Sequence, residues 1–235
     1  MLEAAVALVA LMLLAPAMLL AALFVWLDSP GPVFFRQRRM GRQGREFTLY
    51  KFRSMKTARG CGACITVVGD KRITPVGAVL RRYKIDELPQ FWNVLRGDMG
   101  LVGPRPKLPH HEALHLDCRP GITGVATLAF HKEEEFLSGI PAEELEGFYE
   151  TFVKPAKANI DREYMRTATV ASDVKVIVRT ALSCVFGPDE SLAGPADAIA
   201  RYAAGRVAPA KIMPMPIHHS VLETKVKTAA FSPEM

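Results

Sequence analysis

The chain has 235 residues, a net charge of +6 and a hydrophobic fraction of 49%. That length buries one good core in one or two domains. The basic excess comes with no recognisable nucleic-acid recognition module, and the stretch AAVALVALMLLAPAMLLAALFVWL, residues 4–27, contains no charged residue, which argues against an ordinary soluble domain.

At ~1.5 Å per residue that stretch makes about 36 Å of helix, against a hydrocarbon core of ~30 Å. Glu3 is the only side-chain charge before it, and there is no basic lead or cleavage end, so it does not read as a signal peptide. Pro16 lies near its middle, lacks an N–H and clashes with the carbonyl at Met12. Two outcomes are open on composition: a spanning helix with a kink, or a chain that bends inside one leaflet and returns. Arg36, Arg38, Arg39, Arg42, Arg45, Lys51 and Arg53 follow directly. Such a basic flank marks a cytoplasmic side and attracts anionic headgroups.

The turn cluster DSPGPV ends the apolar helix. Two β-prone runs around GRQG predict a hairpin, with Phe34, Phe47, Leu49 and Phe52 as its packed face. Residues 57–72 read as a loop. It carries CGAC, Cys61 to Cys64, with no second CxxC or CxxH, so the four cysteines read as free thiols in a reducing compartment. A short helix starts near Thr74, with Pro75 at its first position. A second is expected over DELPQFWNVLRG, capped by Asp86 and ended by Gly97, with Leu88, Trp92 and Leu95 toward the core or the interface. MGLVGPRPKLP has too much Gly and Pro to be regular, and RPGITGVATLAF reads as a turn leading to a strand. Residues 141–167 read as a charged helix. Residues 172–186 read as an apolar, basic helix capped by Ser172 or Asp173 and suited to lie flat in an interface. From residue 187 the periodicity fades. The expected units are therefore 1–30, an apolar membrane helix; 31–186, a catalytic domain; and 187–235, a loosely ordered tail.

Asp86 and Glu87 stand side by side, after Arg81, Arg82 and Lys84 and before Arg105, which is held between Pro104 and Pro106. An aspartate before a helix is commonly just a cap, and a first-turn glutamate suits the helix dipole. The cations suggest more. A phosphate approaches carboxylates only if cations intervene, and Mg²⁺ on one or two carboxylates with neighbouring Arg and Lys supplies that charge. An aspartate oxygen can then attack phosphorus in line. Arg105 between prolines has few backbone states to lose on docking.

The runs SPGPVFFRQRRMGRQGREFTLYKFRSM, RITPVGAVLRRYKIDELPQFWNVLRGDMGLVGPRP and RPGITG resemble the bacterial monotopic phosphoglycosyl transferases, also called sugar transferases, over residues 5 to 185. The resemblance implies an α+β monotopic membrane protein with a re-entrant helix broken at Pro16, a small β-hairpin and amphipathic interfacial helices. It implies transfer of a sugar 1-phosphate from a UDP-sugar to polyprenyl phosphate at the cytoplasmic face of the bacterial inner membrane, giving UMP and polyprenyl-diphosphate-sugar through a phosphosugar-aspartate. Carried over by position, the nucleophile falls on Asp86 and its neighbouring acid on Glu87, with Mg²⁺ at the pair. A phosphate contact falls on Arg81 and a nucleotide contact on Pro104, Arg105 and Pro106; Lys51 and Arg53 match a further basic pair. Gly100, where serine is common, and Ala15 before Pro16 depart from the pattern. The resemblance places the chain with the small forms that lack accessory domains. Membrane lipid is an expected partner, nucleic acid is not, and homodimerisation and the sugar are left open. The rival reading is a catalytically silent scaffold with the same fold.

Overall fold

The computed structural model describes residues 2–56, 69–109, 117–131 and 133–187. The CGAC motif and the tail beyond Gly187 lie outside the described residues. The architecture is α+β, with small sheets among many helices. The apolar stretch forms one helix, α1 (Leu2–Asp28), whose helical run continues through Pro16. The helical run is thus not interrupted at Pro16: proline forfeits one backbone bond there, the rest of a long helix carries it, and a bend of the axis at the proline is compatible with the run. Both arms of α1 dock on the same body. Ala7 packs with Leu49, Val94 and Met99, while Ala21 and Val25 pack with Phe52 and Leu80. Between them Ala15, Pro16 and Ala17 are all exposed.

The hairpin forms where the β-prone runs predict it. β1 (Phe34–Met40) pairs antiparallel with β2 (Glu46–Phe52), with Phe34 opposite Phe52 and Met40 opposite Glu46. Leu49 and Phe52 are buried, Phe47 is partly so, and Phe34 stacks on Phe52 from the surface at 5.4 Å. α2 (Pro75–Arg82) begins as expected, with the Thr74 hydroxyl accepting from the Gly77 amide. Gly77 is required by contact: a Cβ there would lie 2.0 Å from the Ser54 carbonyl oxygen. α2 is thereby seated directly on the chain that leaves β2.

α3 (Gln90–Leu95) is shorter than expected, and a single 3₁₀ turn, Ile85–Glu87, precedes it. It buries Asn93 and Val94 and leaves Trp92 on the surface. A three-residue strand, β3 (Gly100–Val102), pairs in parallel with β4 (Gly121–Thr123) in a stretch expected to be irregular. Instead of a longer strand, α4 (Val125–Ala129) follows. α5 (Glu133–Leu137), α6 (Ala142–Phe148), a π-helical turn (Tyr149–Val153) and α7 (Lys154–Thr167) enclose a separate apolar cluster around Phe130, Leu137, Val153 and Ile160. α8 (Val170–Phe186) starts earlier than expected. Thr169 is its cap, exchanging bonds with Ser172 in a capping box.

Arg53 ties the hairpin to the end of α1. Its guanidinium, in a residue only 5% exposed, donates to the carbonyls of Val25 (3.1 Å), Ser29 (2.5 Å) and Pro30 (2.7 Å). Val25 lies in the last turn of α1, where acceptors lack intrahelical partners, and Ser29 and Pro30 lie in the turn that follows it. Replacing Arg53 with Met should orphan them at a cost of roughly 3 kcal/mol, lowering the unfolding midpoint in detergent by roughly 6–12 °C; an unchanged midpoint would refute the capping role.

Candidate active site

The site is built around a backbone irregularity. Lys84 follows α2 in the left-handed region, φ 56°, a conformation that costs a non-glycine residue on the order of 1 kcal/mol. It turns the chain into the 3₁₀ turn, closed by the Glu87 and Leu88 amides on the Lys84 and Ile85 carbonyls at 3.1 and 3.2 Å. The turn places Asp86 and Glu87 in the interior, 5% and 7% exposed. Asp86 does not cap α3, as the sequence suggests: α3 begins four residues further on, with Pro89 at its cap position and no side-chain cap bond. The left-handed Lys84 delays the helix and frees the aspartate. Asp86 Oδ1 is buried without a hydrogen-bond partner among the described residues.

Glu87 is treated differently. Its Oε1 accepts from Lys51 Nζ at 2.6 Å and from Arg105 Nη2 at 2.9 Å. Lys51 comes from the end of β2. Arg105 comes from the turn after β3, braced by Pro104, whose carbonyl accepts from the Gly121 amide at 3.0 Å, and Pro106, whose carbonyl accepts from Arg39 at 3.1 Å. Burial alone would raise Glu87, but Lys51 and Arg105 outweigh it and hold the carboxyl well below the usual range. Burial wins at Asp86, whose pKa is raised; Lys51 opposes the rise and Glu87 adds to it. Burial also lowers Lys51, against the pull of Glu87. One acid is fixed as an anion and the other is kept costly to ionise, with an open oxygen.

The remaining expected residues divide. Arg81 reaches the surroundings of Asp86 electrostatically but donates to Glu134 of α5. Arg53 is not brought to the acid pair; its guanidinium is spent on carbonyls at and just beyond the end of α1, which are distant in sequence and met only on folding. Three features escape the sequence reading. Asn93 is fully buried; its Oδ1 accepts from the Tyr50 amide at 3.2 Å and its Nδ2 donates to the Thr48 carbonyl at 2.7 Å, holding α3 in register with the strand that carries Lys51. A pair of amides at helical spacing, Gln90 and Asn93, on the buried face of a short helix is the available signal. Lys84 acts on both acids. Beyond Arg105, Lys157 bonds Glu133 and lies 5.2 Å from the Phe130 ring centroid and 5.7 Å from that of Tyr149.

Among the described residues no group of three or more His, Cys, Asp or Glu gathers to hold a metal ion. The acid pair alone still fits Mg²⁺, which takes one or two carboxylates and completes its shell with phosphate oxygens and water. The unpartnered, buried Asp86 Oδ1 is the observation that supports the fit.

Comparison with known proteins identifies a family. The profile of the family described as bacterial sugar transferase matches residues 1–187. A UDP-glucose:undecaprenyl-phosphate glucose-1-phosphate transferase of Xanthomonas campestris pv. campestris is 42% identical over 75% of this chain and 36% of its own. A UDP-N-acetylgalactosamine-undecaprenyl-phosphate N-acetylgalactosaminephosphotransferase of Aeromonas hydrophila is 46% identical over 51% of this chain and 31% of its own. The exopolysaccharide production protein PSS of Rhizobium leguminosarum bv. phaseoli is 37% identical over 74% of this chain and 88% of its own. The chain thus spans about a third of the length of the first two relatives and most of the third.

The raised Asp86 makes a stability prediction. A carboxyl whose folded pKa exceeds its unfolded one favours the fold at low pH, and that contribution is lost as pH rises through the folded value. Asp86→Asn should therefore unfold at a higher temperature than the parent at neutral pH, and the gap should close on acidification. Equal midpoints across the range would show that Asp86 is not strained by burial.

Proposed function

Since the chain belongs to the bacterial sugar transferase family, we propose that it transfers a sugar 1-phosphate from a UDP-sugar to undecaprenyl phosphate at the cytoplasmic face of a bacterial membrane. The observation that carries the mechanism is the unpartnered Asp86 oxygen amid Lys51, Lys84 and Arg81. In the first step an Asp86 carboxylate oxygen attacks the sugar-bearing phosphorus. The bond from that phosphorus to the bridging oxygen breaks, and UMP leaves with the electron pair. In the second, a phosphate oxygen of the lipid acceptor attacks the same phosphorus and Asp86 departs as carboxylate. No proton needs to move. Mg²⁺ held by Asp86 and Glu87 would neutralise donor phosphate charge when bound. Arg105 and Arg81 supply fixed positive charge where charge spreads over the transferring oxygens. Glu87 keeps Lys51 and Arg105 aimed.

α1 and α8 support the membrane placement. α1 is the one described helix long and apolar enough to cross a bilayer. Both its arms pack on the same domain while its middle is bare, which supports an arch that enters one leaflet and returns rather than a span. α8 exposes Val170, Val174, Val178, Val185 and Phe186, as an interfacial helix does. This puts the acid pair within reach of both a water-soluble nucleotide sugar and a lipid-tethered phosphate.

Detergent-solubilised protein should release UMP from a UDP-sugar, with UDP-glucose and UDP-N-acetylgalactosamine the first donors to try in view of the named relatives. Asp86→Asn should lose at least about 10³-fold, as expected on removing a covalent nucleophile, and the labelled adduct should vanish from residue 86. Turnover by the Asn variant near the parent's rate would dismiss the covalent route. Excess chelator should stop turnover, and undiminished activity would count against the metal.

A further inference from the structure

A second basic site lies at the tip of the hairpin, far along the chain from the acid pair. A cavity of about 540 Å³ opens there, walled by Phe47 and carrying four arginines, Arg42, Arg45, Arg96 and Arg119, against two carboxylates. The carboxylates are engaged: Glu46 accepts from Arg38 at 3.0 Å, and Asp98 faces Arg96 at 3.4 Å. Arg119 is bonded to Glu3 at 2.8 Å. Arg42 and Arg45 have no ion pair among the described residues. They are held by a closed turn, in which the Gly41 amide donates to the Arg45 carbonyl at 2.7 Å and the Arg45 amide to the Arg42 carbonyl at 3.2 Å. Two arginines without an acid partner among the described residues, on a backbone turn at the rim of a concave site, suit a phosphate.

The place of the cavity selects the kind of phosphate. The Glu3–Arg119 bond pins it to the start of α1, where Leu2 and Val6 are exposed. α3 separates it from the acid pair: Asp86 precedes that helix and Arg96 follows it, with about 9 Å of helix between. A phosphate seated here is not the one that reacts. We propose that the cavity binds the headgroup phosphate of an anionic glycerophospholipid, whose acyl chains lie along the apolar start of α1. Such a contact would fix the rotation of the domain on the membrane. The proposal rests on the membrane reading of α1.

Co-flotation tests it, using full-length protein with vesicles of phosphatidylcholine alone or in equal parts with phosphatidylglycerol. The parent should prefer the mixed vesicles. Arg42→Gln/Arg45→Gln should lose about tenfold more affinity for them than the charge-matched Arg36→Gln/Lys71→Gln, which leaves the Arg38–Glu46 pair intact, the excess expected of a bidentate phosphate contact over diffuse attraction. Should the tip variant not fold, Arg42→Lys/Arg45→Lys, which keeps charge but loses the fork geometry, takes its place with a smaller excess in the same direction. Equal losses from both pairs, or no preference by the parent, would overturn the site while leaving membrane binding intact. Displacement from mixed vesicles by millimolar inorganic phosphate, without a change on neutral ones, would assign the cavity to a soluble ligand instead. Binding to neither vesicle would remove the membrane reading itself.

Discussion

Everything at the site depends on how two neighbouring carboxylates are kept inside a protein. Burying one charge without compensation is prohibitive, and burying two side by side is worse. Two cations from different elements meet on one oxygen of Glu87, which makes that residue a permanent anion. Asp86 gains only part of the same field and keeps an oxygen to spare. The asymmetry suits the proposed division of labour, in which the paired acid organises the cations and the unpaired one attacks phosphorus. β2, the turn after β3 and the 3₁₀ turn must all be in place for it, so the fold of the small sheets and the electrostatics of the pair are one problem.

The same elements link the site to α1. Phe52 and Leu80, at the ends of the strand and the helix that flank the acid turn, pack with Ala21 and Val25, and Ile85 of the turn itself lies against that cluster. Arg53 adds polar bonds to the same junction. The position of the acid pair relative to α1 is therefore set by packing, not by a flexible tether. Asn93 completes the frame by fastening α3 to β2 through two backbone bonds.

Much of this was legible in the sequence, where local chemistry decides. The hairpin follows from alternating β-prone runs around GRQG, and α2 from a threonine cap and a proline at its first position. The acid pair, Lys51 and Arg105 were identified by their surroundings and by resemblance, and the structure brings them together. What was hidden depends on contacts remote in sequence. Asp86 looked like a cap because nothing local announces a left-handed lysine two residues earlier. Arg53 reads in the sequence only as half of a basic pair with Lys51, because the carbonyls that occupy it belong to a segment remote in the chain. β3 was obscured because its three residues gain a partner only from β4, and α5 with its acids on Arg81 and Lys157 had no periodicity long enough to read.

The left-handed backbone at Lys84 carries a lesson for protein engineering. Glycine or asparagine would sit there with less strain, so a library screened only for thermal resilience would tend to discard the lysine. The ammonium whose field reaches both acids would go with it. Sturdier progeny selected in that way would drift toward a quieter catalytic centre, and a campaign to harden this scaffold should hold position 84 constant.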